Sequence, residues 1–326
     1  MPLTDLPFGP APLYDGGQYP KPGNSAACFM PVKAGAKMRV AQFLSGPSAT
    51  RMERPLLLLL NGRGEYIEKY YEPIGQILSR GYDVLTLDWR GQGLSSRMLP
   101  DRLRGHVDHF DTYLDDLERV LTSVAMVDRR VTQPKMVMGH SMGGALSLLY
   151  AARNPQRVKA IALSAPMVGM RVPTHPLFFE IVLRFNLLLG RAGAYPLGGE
   201  SDPTPNSFDD QRVTRDPDRY ASDASFYKID PDILVKGATN GWLAAACAAV
   251  RALHWRSTLK KLSMPVLIQT AVADRLVPTE AHEKYAALLA NGSLCAITDA
   301  QHELMREIDE VVDAYWRNFD DWRETL

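Results

Sequence analysis

A serine hydroxyl attacks a carbonyl only when a base takes its proton, and Ser141 stands in a setting built for that. Gly139-His140-Ser141-Met142-Gly143 reads G-x-S-x-G, with Gly144 directly behind it. Upstream, Lys135-Met136-Val137-Met138 reads as a buried strand. Downstream, residues 145–152 are apolar and small enough to form a close-packed helix. A serine on a sharp strand-to-helix turn flanked by glycines is a nucleophile elbow, whose strained backbone holds the side-chain oxygen out toward a substrate. Without that context the motif is a tight turn in some other α/β protein.

The serine needs a base, and the base needs an acid to orient it. Around an elbow of this kind the partners follow in the chain order Ser, Asp or Glu, His. Of seven histidines, His175, His254, His282 and His302 come after Ser141. His175 and His254 lie in or beside an insertion. His282 falls within a helix expected on the outside of the sheet. His302 follows the last strand, in a loop that can lean over the strand ends, and is the candidate base. The candidate acid is Asp274, in the loop Val272-Ala273-Asp274-Arg275-Leu276-Val277-Pro278 after the preceding strand. Asp299 is its rival beside His302, while Asp202, Asp209 and Asp210 belong to the insertion. A tetrahedral intermediate also needs donors for its oxyanion. The N–H of Met142, next to the nucleophile, supplies one. The second belongs to the glycine-rich loop Asn61-Gly62-Arg63-Gly64-Glu65, and is assigned to the N–H of Arg63 with Gly62 as the alternative.

These residues are far apart in sequence, so a parallel sheet has to bring them together. Residues 1–25, rich in Pro and Gly, read as an irregular arm. Residues 28–32 and 38–44 read as a hairpin around Ala34-Gly35-Ala36. The all-leucine run Leu56–Leu60 is a strand buried on both faces. A helix over 68–79 and a strand over 82–87 follow. Phe110, Leu114, Leu117, Leu121 and Val124 form one apolar stripe on a helix over 108–125, with Asp108 as its cap. Residues 158–164 form the strand after the elbow helix. Strand signals then stop, and resume with a strand over 265–271, a helix over 279–290, a strand over 294–298 and a helix over 305–324. The chain therefore divides into an arm (1–25), an α/β core (26–165 and 255–326) and a helical cap or lid (166–254).

With 326 residues, 46% of them apolar, there is material for one large α/β domain. Lys+Arg and Asp+Glu balance at 37 each, which gives no basis for a nucleic-acid partner. Cys28, Cys247 and Cys295 show no paired spacing, and no His/Cys/Asp cluster has metal-ligand spacing, so neither a disulfide framework nor a metal or other cofactor is expected. The N-terminus lacks the pattern of a secretory signal, and no apolar run approaches the about 18 residues that span a bilayer. The expectation is a soluble cytoplasmic protein, with peripheral membrane contact through the cap left open and oligomeric state unassigned. Asp88-Trp89-Arg90-Gly91-Gln92-Gly93-Leu94-Ser95 lacks a phosphate-loop ending and reads as a structural loop.

Together these segments resemble the α/β-hydrolase fold, and within it the monoacylglycerol lipase and bacterial lysophospholipase-like branch. The resemblance runs from about residue 26 to the C-terminus. It rests on the 61–65 and 88–95 loops, Gly139–Gly144, Ala273–Val277 and Gln301-His302-Glu303. Val213–Tyr220 and Gly237–Trp242 resemble cap signatures of the same branch. It implies a mostly parallel sheet flanked by helices, a triad of Ser141, Asp274 and His302, and oxyanion donors at Arg63 and Met142. One departure is Asn61, where the family's loop usually begins His-Gly.

Residues 176–189 of the cap are apolar almost all round except for Glu180 and Arg184, four apart. Such a helix suits a lipid-like substrate or a membrane surface, or is simply buried or forms a dimer contact. The expected reaction is hydrolysis of a single-chain acyl lipid, a lysophospholipid or monoacylglycerol, through an acyl-enzyme on Ser141. A small-ester or xenobiotic esterase with the same triad is the alternative, and a non-catalytic binding protein is a third reading. The Arg63 and Arg90 side chains are both in positions that could meet a phosphate.

Overall fold

The computed structural model describes residues 3–46, 53–133, 135–196 and 202–326. In chain order it contains β1 (Ser25–Pro31), β2 (Lys37–Phe43), β3 (Leu56–Leu60), α1 (Tyr71–Ser79), β4 (Asp83–Leu87), α2 (Phe110–Val124), β5 (Lys135–His140), α3 (Met142–Arg153) and β6 (Val158–Ser164). Then come α4 (Pro176–Leu188), α5 (Pro217–Ile229), α6 (Asn240–Leu253), α7 (Arg256–Leu259), β7 (Val266–Ala271), α8 (Thr279–Leu288), β8 (Gly292–Ile297) and α9 (Asp309–Arg323). The strands form one sheet in the order β1-β2-β4-β3-β5-β6-β7-β8. The β1–β2 hairpin turns at Ala34 and Gly35, both with positive φ, and β2 pairs antiparallel with β4. From β4 to β8 every pairing is parallel.

Side chains of a strand point alternately to opposite faces, and β3 shows what this produces. Leu56, Leu58 and Leu60 join the apolar layer that contains Tyr113, Leu117, Leu146, Tyr150 and Tyr285. Leu57 and Leu59 join the layer that contains Ile74, Ile77, Tyr315 and Phe319. The sheet is thus covered by α2, α3, α6 and α8 on one face and by α1 and α9 on the other. Parallel pairing has a further consequence: the loops leaving β3, β4, β5, β7 and β8 all emerge at the same edge.

Several local expectations change in the structure. Asp108 does not cap α2; its carboxylate meets His106 Nε2 at 3.2 Å, and His109 is the residue before the helix. The helix expected over 68–79 begins as a 3-10 turn, Ile67–Tyr70. The arm is docked: Leu3 and Leu6 are buried in the core, and the Tyr14 hydroxyl donates to Asp230 at 2.8 Å. Within 166–254, α6 packs on α2 and α3 through Trp242, Ala245, Ala246 and Ala249.

Candidate active site

The elbow is built by close approach. Ser141 has φ 51° and ψ −118°, a conformation that a non-glycine residue adopts only under strain of order 1–3 kcal/mol. The glycines around it leave no room for side chains. A Cβ on Gly143 would run into the backbone carbonyl of Leu60 and lie 2.5 Å from that of Asn61. One on Gly139 would lie 2.7 Å from Gly143 O, and one on Gly144 would lie 2.7 Å from Pro166 Cβ. The start of α3 is thereby pressed against the end of β3. The Met142 N–H, at the positive end of α3, has no acceptor among the described residues.

His302 and Asp274 are joined directly, Nδ1 to Oδ2 at 2.7 Å. A carboxylate only accepts, so Nδ1 carries the proton and Nε2 is left as the basic nitrogen. Asp274 Oδ1 accepts from the amides of Leu276 at 2.7 Å and Val277 at 3.0 Å. Burial raises the Asp274 carboxyl, but His302 and these amides outweigh it and hold its pKa below the ordinary value. Asp299 is exposed, in a left-handed turn with φ 54°, and makes no bond to His302. The other late histidines are engaged elsewhere. His282 lies on α8, which packs on the outside of the sheet as expected, and its buried ring is held between Thr270 Oγ1 at 2.6 Å and Pro166 O at 2.8 Å. His254 Nε2 meets Val168 O at 2.9 Å.

Ser141 and His302 open into one cavity of about 290 Å³, whose walls include Arg63, Met142, Met167, Met170, Trp242 and Leu276. In the loop after β3, the Gly62 amide donates to Glu65 Oε2 at 2.5 Å and the Gly64 amide to Gln92 Oε1 at 3.0 Å. The Arg63 amide between them has no acceptor among the described residues. Of the two alternatives for a second oxyanion donor, Gly62 is therefore occupied and Arg63 is free. Asn61, in place of the expected histidine, fastens β3 to the end of β4: Nδ2 donates to Leu87 O at 2.9 Å, and its carbonyl accepts from Trp89 Nε1 at 3.0 Å. Its Oδ1 is buried without a partner.

A scan against family models matches residues 52–309 to Hydrolase_4, described as serine aminopeptidase, S33. The chain belongs to this family. It is 31% identical over 268 residues to lysophospholipase L2 of Escherichia coli K12, covering 78% of this chain and 76% of that one. It is 28% identical over 284 residues, 87% of each chain, to a probable lysophospholipase L2 of Haemophilus influenzae. Its fold is that of a soluble variant of monoglyceride lipase from Saccharomyces cerevisiae, at TM-score 0.69 and 19% identity over 92% of this chain and 95% of that one. The protein is an α/β-hydrolase and a serine hydrolase.

In this serine hydrolase, several residues that position the site carried no assigned role in the sequence. Glu65 accepts from the Gly62 amide and from the Tyr70 hydroxyl, both at 2.5 Å, and pairs with Lys69 at 3.2 Å. Burial raises this carboxyl, yet Lys69, His140, Tyr70 and Gly62 bring it down to about 2. Gln92 supports the same loop from β4, donating to Gly62 O at 2.7 Å. Lys69 also pairs with Glu303 at 2.6 Å, and Arg306 joins Glu303 at 3.1 Å to Asp223 of α5 at 2.7 Å. The His140 ring lies 4.8 Å from that of His302, and burial pushes its pKa down against the pull of Glu65. The one usable signal was topological: loops after neighbouring parallel strands must meet, so polar residues in 61–65 and 88–95 had to find each other. Among the described residues no group of His, Cys, Asp and Glu is placed to hold a metal ion, and no helix is long and apolar enough to cross a membrane.

Proposed function

We propose that this protein is a carboxylic-ester hydrolase that cleaves single-chain acyl lipids, lysophospholipids or monoacylglycerols, through an acyl-enzyme on Ser141. The observation that carries the reading is the Asp274–His302 pair opening into the same cavity as the strained Ser141, beside two unengaged amides. In the first half-reaction Ser141 Oγ bonds to the ester carbonyl carbon while its proton passes to His302 Nε2. Asp274 holds the imidazolium, and the amides of Met142 and Arg63 receive the oxyanion. Collapse expels the alcohol, which takes the proton from His302. Water then repeats the sequence on the acyl-enzyme and releases the fatty acid.

The lipid reading is supported by the names of the relatives and by two features of this chain. The cavity walls are rich in apolar side chains, with three methionines that adapt to an alkyl chain. Helix α4, in the segment 166–254 that we take as the cap, exposes Leu177, Phe178, Ile181, Phe185 and Leu188 and buries Leu183. Glu180 of α4 pairs with Arg251 of α6, so its charge is used to hold the helix on the body of the protein. Met170 of the cavity wall also borders a smaller hollow formed with Pro176 and Phe179 of α4, so an exposed apolar helix near the cavity is where a lipid would arrive from a micelle or membrane surface.

The family's description also names an aminopeptidase, an activity that requires a carboxylate free to hold a substrate ammonium. Glu65 and Glu303 line the cavity, but both are engaged by Lys69, and Glu303 by Arg306 as well. The ester reading fits these pairings better. A fluorophosphonate probe should label the wild type and not Ser141→Ala, and rates on p-nitrophenyl esters should hold or rise from butyrate to dodecanoate. Absence of labelling would favour a non-catalytic binding protein; a sharp fall beyond short chains would favour a small-ester esterase.

A further inference from the structure

Arg63 and Arg90 are the two arginines placed early as able to meet a phosphate, and the structure separates them. Arg90 is buried in a bidentate pair with Asp116, at 2.6 and 2.7 Å, and is spent on holding its loop. Arg63 has no carboxylate within ion-pair distance among the described residues. One guanidinium nitrogen donates to Lys236 O at 3.0 Å, and the group sits 5.5 Å from the centre of the Trp242 ring. The remaining donors have no protein acceptor among the described residues. Burial lowers the Arg63 pKa, and the field of Glu65 offsets this only in part.

Arg63 also lies between two spaces. On one side is the cavity of Ser141. On the other is a second cavity of about 440 Å³, formed with Asn206, Tyr220, Tyr227 and Lys236, to which Arg63 and Gly64 contribute a shared wall. Lys236 Nζ there is held by two neutral oxygens, Thr204 O at 2.6 Å and Asn206 Oδ1 at 2.7 Å, which leave its charge uncompensated by contact. The one carboxylate in the wall, Asp223, is engaged by Arg306 at 2.7 Å and faces Lys69 at 3.6 Å.

We infer that the Arg63 guanidinium is a phosphate subsite, and that the second cavity receives the head group of a phosphodiester-bearing single-chain acyl lipid. This rests on the ester-hydrolase reading above and narrows it. The reach of the residue fits the substrate. Six bonds separate the Arg63 amide nitrogen from its Cζ, and six separate the ester carbonyl carbon of a 1-acyl lysophospholipid from its phosphorus. Either span is about 7 Å when extended, at bond lengths of about 1.5 Å. One residue therefore holds the developing oxyanion with its backbone and the phosphate with its side chain. A monoacylglycerol offers only a hydroxyl at that place and leaves the cation unpaired.

The test compares lysophosphatidylethanolamine with the monoacylglycerol of the same acyl chain, in the same neutral-detergent micelles, as a ratio of kcat/KM values. Taking the ratio cancels the part of the loss that comes from a disturbed Arg63 amide, which both substrates use. The wild type should favour the phosphodiester. Arg63→Met should cut the ratio by about ten- to a hundredfold, as expected for loss of a charged hydrogen-bonded contact. Arg63→Lys, with the charge but not the fork, should fall in between. Arg119→Met, an exposed cation on α2 that lines neither cavity, should change the ratio less than twofold. Equal losses on both substrates in Arg63→Met, or a wild type indifferent to phosphate, would overturn the subsite and leave lipid hydrolysis standing. A wild type that cleaves p-nitrophenyl butyrate but neither lipid would overturn both. Should the methionine variant not fold, the wild type still decides. sn-Glycerol 3-phosphate should inhibit p-nitrophenyl butyrate hydrolysis at concentrations at least about tenfold below those of glycerol, and equal potency refutes the subsite.

Discussion

Glu65 should be replaced by glutamine, because this carboxylate, engaged by Gly62, Tyr70 and Lys69, holds the loop proposed to carry an oxyanion donor. Its Oε2 accepts from the Gly62 amide and the Tyr70 hydroxyl, and Oε1 faces Lys69. A folded pKa of about 2 against an ordinary 4.5 means that the surroundings favour the charged form by about 3 kcal/mol. Glutamine keeps the shape but loses the charge and turns an NH₂ toward at least one donor. The Arg63 amide, one residue from Gly62, then loses its fixed direction. Loss of one oxyanion donor costs about 10²–10³ in kcat. We therefore expect Glu65→Gln to lower kcat on p-nitrophenyl butyrate by about a hundredfold, with KM changed less than about threefold. Thermal unfolding should be followed alongside. Because the folded pKa is depressed, the stabilisation due to this carboxylate is complete above about pH 4.5 and is lost as pH falls through about 2. The Tm difference between wild type and variant should thus be flat from pH 5 to pH 8 and shrink below. A variant with kcat within twofold of wild type would refute the positioning role, as would an equal loss in kcat/KM arising from KM alone.

Asp274→Asn should retain the fold and lose about 10³–10⁴ in kcat, because an amide can stabilise the wrong tautomer of His302 and cannot support the imidazolium; steady-state rates at pH 8 check this. Gly143→Ala places a methyl group on the carbonyls of Leu60 and Asn61, with only backbone available to yield, and should lower Tm by more than about 5 °C in differential scanning fluorimetry. Leu188→Glu, on the exposed face of α4, should reduce turnover of a micellar long-chain substrate at least about fivefold and leave p-nitrophenyl butyrate rates unchanged; equal effects on both would remove α4 from the path of the lipid.

The parts of the site legible in the sequence were those fixed by local rules. Gly139, Gly143 and Gly144 mark the elbow because no side chain fits there, and the order Ser141, Asp274, His302 follows from which parallel strand each residue leaves. Leu56–Leu60 revealed two covered faces because each leucine had to be buried somewhere. Less legible was everything that depends on long-range pairing. Glu180 stands four residues from Arg184, yet pairs with Arg251 from another helix. His282 looked peripheral because a helix between strands packs on the sheet, but its register turns the ring inward to Thr270 and Pro166. For Glu180 the residue four positions on was a plausible partner and one from another helix won, and for His282 the partners lie 12 and 116 residues away.

The cluster beside the triad shows what such pairing does here. Lys69, Glu65, Glu303, Asp223 and Arg306 are brought out of water together, at a desolvation cost of several kcal/mol per ion that ion pairing in the interior only roughly offsets. Apolar side chains of the same volume would stabilise the fold as well or better. What apolar side chains would not supply is direction. Glu65 fixes the loop that carries the Arg63 amide, and Glu303 follows His302 in the chain. Asp223 belongs to α5, the helix whose Tyr220 and Tyr227 form the wall of the second cavity. Lys69 and Arg306 therefore connect the loop after β3, the segment after His302 and the α5 wall of the second cavity. That is why the effect of Glu65→Gln is expected in kcat rather than in KM: its carboxylate is taken up by Gly62, Tyr70 and Lys69, and acts by holding the loop whose amide would meet the oxyanion only in the transition state.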